Sequence, residues 1–195
     1  CFEIKYMVDN IKAGLDMKHF SEEERSQLAR ISWDMDENVA VKSLKLLTQL
    51  LYRYYGKKPI IPLDEYDTPM QEAYFHGYWD RMAAFMRGFL NNTFRTNPLL
   101  EKALMTGITR IGRESMFSDM NHIDVAAITT HKYETAFGFT QKEVFAALDH
   151  VELGKYKKQV KQWYDGFMIG RCKDIYNPWS ITKFIDSDGR FDTYW

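Results

Sequence analysis

The sequence predicts an α/β protein in which a parallel-sheet core is followed by a mainly helical, lid-like subdomain. Short apolar runs at 60–63, 103–108 and 125–128 alternate with segments of helical periodicity, the pattern of a layered domain with a parallel sheet. From about residue 131 the strand signals give way to a capping box and to Gly and Pro turns set between aromatic residues. These observations divide the chain into a core at 1–130 and a subdomain at 131–195.

Taken in order, Phe2 to Val8 alternates only partly and suits either a strand or the start of a helix. Ser21-Glu22-Glu23-Glu24 is a capping box that opens a helix to about Ile31. Asp34 or Asp36 can cap the next helix. Its core stripe is Ala40, Leu44, Leu47, Leu51 and Tyr54, and Gly56 stops it. The run 60–63 then reads as a strand buried on both faces, delivering Asp64 and Glu65, with Asp67 and a Thr68-Pro69 turn behind them. A third helix is expected over 71–93, burying Tyr74, Tyr78, Met82, Phe85, Met86 and Phe89, with Arg81 and Arg87 turned outward.

The run 103–108 reads as a second buried strand leading to Thr109-Arg110, and 125–128 as a third. Between them, 111–122 is a polar connection carrying Arg113, Glu114, Ser115, Ser118 and Asn121. Thr140-Gln141-Lys142-Glu143 is a second capping box, opening a helix to about His150, and 155–163 is helical as well. Asp165-Gly166 predicts a tight turn. Asn177-Pro178-Trp179-Ser180 predicts a turn that opens a last helix at 181–185. Trp163, Tyr164, Tyr176 and Trp179 read as the mini-core of this subdomain.

With 45% hydrophobic and 27% charged residues, the 195-residue chain is ordinary for one globular domain with a small appendage. A net charge of -1 gives no bulk reason to expect nucleic-acid or membrane binding. No apolar run approaches the ~20 residues of a membrane span. Cys1 and Cys172 form no metal or redox motif, and His19, His76, His122, His131 and His150 lack metal-ligand spacing. A reducing, cytoplasmic location is the expectation.

Ligands of open parallel sheets gather at the carboxyl ends of the strands, where Asp64 and Glu65 are expected. The chemistry suited to that position is a Walker B strand, with Asp64 holding Mg²⁺ directly or through water and Glu65 orienting or deprotonating an attacking water. A strand ending in a solvated acidic turn gives the same pattern. A paired-carboxylate hydrolase, with Trp163, Tyr164 and Trp179 as a carbohydrate platform, is a poorer fit, because adjacent strand residues point to opposite faces.

Longer strings add to this. Leu63-Asp64-Glu65-Tyr66-Asp67-Thr68-Pro69, Phe85-Met86-Arg87-Gly88-Phe89-Leu90, Met105-Thr106-Gly107-Ile108-Thr109-Arg110 and Glu114-Ser115-Met116-Phe117-Ser118 occur in that order. Trp163-Tyr164-Asp165-Gly166-Phe167 and Tyr176-Asn177-Pro178-Trp179-Ser180 follow. Over about 40–186 the chain resembles the bacterial AAA-ATPase-like family within the P-loop NTPases, whose members are often followed by a PD-(D/E)XK nuclease-like domain. The resemblance implies an ATP-binding, ATP-hydrolysing switch with a lid-like helical region. Asp64 would be the Mg²⁺ carboxylate and Glu65 the catalytic base. Thr106 and Arg110 would form a sensor position contacting ATP. An Arg fork suits phosphate oxygens, and an ion pair of Arg110 with Asp64, Glu65 or Asp67 is the plainer alternative.

Two departures stand out. No G-x-x-x-x-G-K-[ST] loop is present, so the phosphate cradle is expected upstream and the 195 residues alone are expected to bind nucleotide poorly. Pro62 replaces an aliphatic residue of the central strand, which predicts an irregularity or an edge. A non-catalytic interaction module, binding a protein partner through the aromatic-rich last third, is the alternative expectation.

Overall fold

The start of the chain is helical, with α1 spanning Phe2–Ala13. The computed structural model describes residues 2–109 and 123–194, which fall into two units, Cys1–His122 and Ile123–Trp195. In the first, α2 (Glu22–Ala29) opens with the expected capping box: the Glu24 N–H donates to Ser21 Oγ at 3.2 Å and the Ser21 N–H to Glu24 Oε2 at 2.7 Å. Such a cap contributes about 1 kcal/mol. Helix α3 (Glu37–Tyr55) starts at Asp36, whose carboxylate accepts from the Val39 N–H, and ends at Gly56 with φ +66°. Ala40, Leu47 and Leu50 of α3 close a core with Val8, Leu28 and Ile31, from α1 and the α2 region.

Strands β1 (Ile60–Leu63) and β2 (Lys102–Met105) pair in parallel, with Leu63 opposite Met105. Two expectations need correction here. The second strand stops at Met105 rather than 108. Neither strand is buried on both faces either, since Ile60 is 63% and Leu104 52% exposed. Pro59 and Leu63 turn their carbonyls to β2, accepting from Glu101 and Thr106 at 2.9 Å. Backbone groups alternate sides along a strand, so Pro62 sits with its missing donor on the edge away from β2 and costs that ladder nothing.

The single helix expected over 71–93 is two. Helix α4 (Thr68–Phe75) and α5 (Trp79–Leu90) are separated by Gly77 at φ +75°. The break resets the helical phase. Ala83, Met86, Phe89 and Leu90 are buried, whereas Tyr74 and Tyr78, expected inside, are exposed. Gly88 lets α5 lie close to α3, since a Cβ there would meet Val41 Cγ1 at 3.3 Å. Helix α5 then runs into one π turn, Asn91–Arg95.

In the second unit, β3 (Phe139–Thr140), β4 (Asp165–Ile169) and β5 (Cys172–Tyr176) form an antiparallel sheet in the order β3-β5-β4. Helices α6 (Gln141–His150), α7 (Lys157–Tyr164) and α8 (Pro178–Asp186) accompany it. This unit is therefore mixed rather than mainly helical. The strand expected at 125–128 is absent, and Val125 and Ile128 are exposed. Asp165-Gly166 opens β4 instead of turning, and the turn falls at Gly170, φ +60°. Of the expected aromatic mini-core, Tyr164 and Tyr176 are buried with Val144, Leu148, Val160, Ile181 and Phe184, while Trp163 and Trp179 are exposed. Among the described residues no helix is long and apolar enough to cross a membrane.

Asp67, 1% exposed, ties the turn after β1 to the turn after β2. Its Oδ2 accepts from the Thr109 N–H at 2.6 Å and from Gln71 Nε2 at 2.8 Å. Burial pushes its carboxyl pKa up, but the Thr109 N–H, its own N–H, Gln71 and the Ile108 N–H outweigh that, and the net value lies below the ordinary one. A depressed folded pKa means stability that is present above the unfolded pKa and lost as pH falls through the folded one. Asp67→Ala strands the Thr109 donor and is expected to lower the stability of the first unit by about 1–3 kcal/mol in urea unfolding. Its stability should also fall less steeply with acid than that of the wild type. A second prediction concerns Tyr176, whose hydroxyl is buried without a hydrogen-bond partner among the described residues. Burial, with Asp165 and Asp174 nearby, pushes its pKa up to about 12. Tyr176→Phe removes this orphan and should leave the thermal midpoint unchanged or raise it.

Candidate functional site

The β1–β2 register carries one residue further at their carboxyl ends. The Thr106 N–H donates to the Leu63 carbonyl at 2.9 Å, and the Tyr66 N–H to the Thr106 carbonyl at 3.0 Å, so Thr106 is held from both sides by the chain leaving β1. This sets the Thr106 hydroxyl beside Asp64, and it donates to Asp64 Oδ1. The Glu65 N–H donates to the same oxygen at 3.0 Å. Both restraints fall on Oδ1, so Asp64 is oriented while Oδ2 has no hydrogen-bond partner among the described residues. Asp64 and Glu65 are exposed.

Glu65 adopts φ +50°, a left-handed conformation that costs a side-chain-bearing residue energy and concentrates at functional positions. Its carbonyl accepts from the Thr68 N–H at 3.1 Å, closing the turn into α4. The alternation of a strand therefore does not extend through Glu65: a turn, not a pleat, sets its direction.

Gly107 has a specific reason to be glycine. A Cβ there would lie 2.5 Å from Asp67 Oδ1 and 2.8 Å from Tyr66 Cε1. Tyr66 spans the same loop, donating from Oη to the Thr109 carbonyl at 3.2 Å. Asp67, Gly107 and Tyr66 thus form the support under Asp64 and Thr106. From the sequence alone, Asp67 reads as a further carboxylate beside the site or an ion-pair partner for Arg110. The one signal of its structural role was its place immediately before the Thr68-Pro69 helix start.

Of the predicted site residues, Asp64, Glu65 and Thr106 come together at the ends of the paired strands. Arg110 lies outside the described residues, as do Glu114, Ser115 and Ser118. Among the described residues no group of three or more metal-type side chains exists. An exposed, oriented carboxylate with an open oxygen nevertheless fits Mg²⁺, which takes one or two protein carboxylates and completes its shell with water and phosphate oxygens. Asp64 is the residue that would hold it.

In comparisons with known proteins, no curated protein and no solved structure gives a significant match. The family model described as predicted AAA-ATPase matches residues 3–117, which include β1, β2 and the Asp64, Glu65 and Thr106 turn; the aromatic motifs at 163–167 and 176–180 lie beyond it. With more than half of the 195 residues matched, the chain belongs to the AAA-ATPase-like family.

Proposed function

We propose that this chain is the part of a Mg²⁺-dependent ATPase that carries the metal carboxylate and the phosphate sensor, and that it acts as a nucleotide-dependent switch in the cytoplasm. The observation that supports this is the Thr106-to-Asp64 hydrogen bond at the adjacent carboxyl ends of two parallel strands. Asp64 Oδ2 would bind the cation while the Thr106 hydroxyl keeps Oδ1 turned away from it. Bound Mg²⁺ supplies charge neutralisation on the β- and γ-phosphate oxygens. Glu65 would orient a water for attack on the γ-phosphorus and accept its proton as the bond to the β-phosphate oxygen breaks, giving ADP and phosphate. Arg110 would contact the γ-phosphate. Positioning and electrostatics account for most of such catalysis.

A second reading, a non-catalytic interaction module, draws on Trp163, Phe167 and Trp179, which are exposed in the second unit. Calorimetry with Mg²⁺-ATP separates the two. Titrations use this chain and a longer product that includes a G-x-x-x-x-G-K-[ST] loop. Binding by the longer product alone supports the ATPase; binding by neither supports the module.

In an ATP-hydrolysing product, Glu65→Gln should retain ATP binding and lose about 10²–10⁴-fold in turnover, the usual contribution of a positioned base. Unchanged turnover removes Glu65 from that role. Thr106→Val should weaken the apparent Mg²⁺ affinity by about 10–100-fold, as loss of a ligand-orienting partner does. Arg110→Ala should lower turnover, and a wild-type rate would leave Arg110 a structural ion pair.

A further inference from the structure

A second site of different chemistry lies in the first unit. A cleft of about 420 Å³ opens between the end of α2, the outer face of α3 and the π turn after α5. Three cations line it, Arg30, Lys42 and Lys45, and none of its lining residues bears a carboxylate. Among the described residues Arg30 and Lys42 form no ion pair, and Lys45 Nζ only donates to Thr96 Oγ1 at 3.3 Å. In a chain of net charge -1, a cleft whose charged lining residues are all cations is a local departure rather than a reflection of bulk composition.

Between the cations the cleft is aliphatic. The half-buried Val39 and Leu46 line it together with Ile31, which is itself buried in the core of this unit. Asn38, Gln49 and Asn92 add amides able to pair with a peptide backbone. Asn92 is brought there by the π turn, where its Nδ2 donates to the Gly88 carbonyl at 2.8 Å and its Oδ1 remains an acceptor. No lining residue is aromatic. That disfavours nucleobases, which single-strand binders hold by stacking.

We propose that this cleft binds an acidic peptide segment of a partner protein, seating an aliphatic side chain on Val39 and Leu46 while its Asp or Glu carboxylates meet Arg30, Lys42 and Lys45. Charge complementarity selects the partner: carboxylates gain from unpaired cations, and basic segments are repelled. The inference does not depend on nucleotide chemistry, because none of these residues belongs to the Asp64 site.

The test is fluorescence anisotropy of the 195-residue chain with a fluorescein-labelled Glu-Glu-Leu-Glu-Glu-Leu peptide. Saturable binding that weakens with salt is expected. The double variant Arg30→Glu with Lys42→Glu should weaken it by about tenfold or more, and the milder Arg30→Gln with Lys42→Gln by less, with wild-type thermal melts by circular dichroism. A control of the same charge change, Lys57→Glu with Lys58→Glu, should leave binding intact. Four results would overturn the proposal. They are no saturable binding, equal binding of the peptide with Gln for Glu, equal loss in the control, and displacement of the peptide by tripolyphosphate or oligouridylate at equal or lower concentration.

Discussion

The first unit depends on one buried carboxylate. Asp67 is almost inaccessible, yet its ionised form is favoured, because N–H donors from the turn after β2 and the side chain of Gln71 converge on it. Unpaired, such a charge would be costly to bury, and this pairing is what makes its burial tolerable. The consequence is geometric. Two short strands with exposed faces contribute little packing of their own, so their carboxyl ends are aligned mainly by hydrogen bonds across the loops. Thr106 reaches Asp64 because Asp67 holds Thr109, because Gly107 leaves room for that carboxylate, and because Tyr66 spans the gap.

This arrangement separates support from chemistry within one short string. Asp64 and Glu65 are exposed and oriented, while Asp67 is buried and occupied. The left-handed backbone of Glu65 belongs to the same economy: the chain must turn sharply from β1 into α4, and the strain falls on the residue proposed to act on water. The family match over residues 3–117 includes this turn.

The second unit solves its stability differently. Tyr164, Tyr176 and Phe184 fill a core under a small antiparallel sheet, and Thr140 and Asn177 cap the helices that enter and leave it. Lys161 binds Asp174 at 2.9 Å and sits 3.6 Å from Asp165, bridging two carboxylates that would otherwise repel. Burial first, and Asp174 next, raise the Asp165 pKa above the ordinary carboxylate value.

Local chemistry was legible in the sequence. The capping boxes at Ser21 and Thr140, the stop at Gly56 and the position of the strand at 60–63, though not its burial, each rest on a few neighbouring residues; of the two caps offered for α3 the structure takes Asp36, and the helix expected after the Asn177 turn begins at Pro178. What required the tertiary structure was everything set by distant partners. Tyr74 and Tyr78 had helical spacing but lost their buried place when Gly77 reset the phase. Val125–Ile128 had strand composition but no ladder. Asp165-Gly166 had turn composition but was drawn into pairing with Tyr176. Asp67 looked like one more acidic site residue until Thr109, far along the chain, supplied its donor. Sequence alone determined which groups are available; pairing across the fold decided which of them are consumed in holding it and which are left to act.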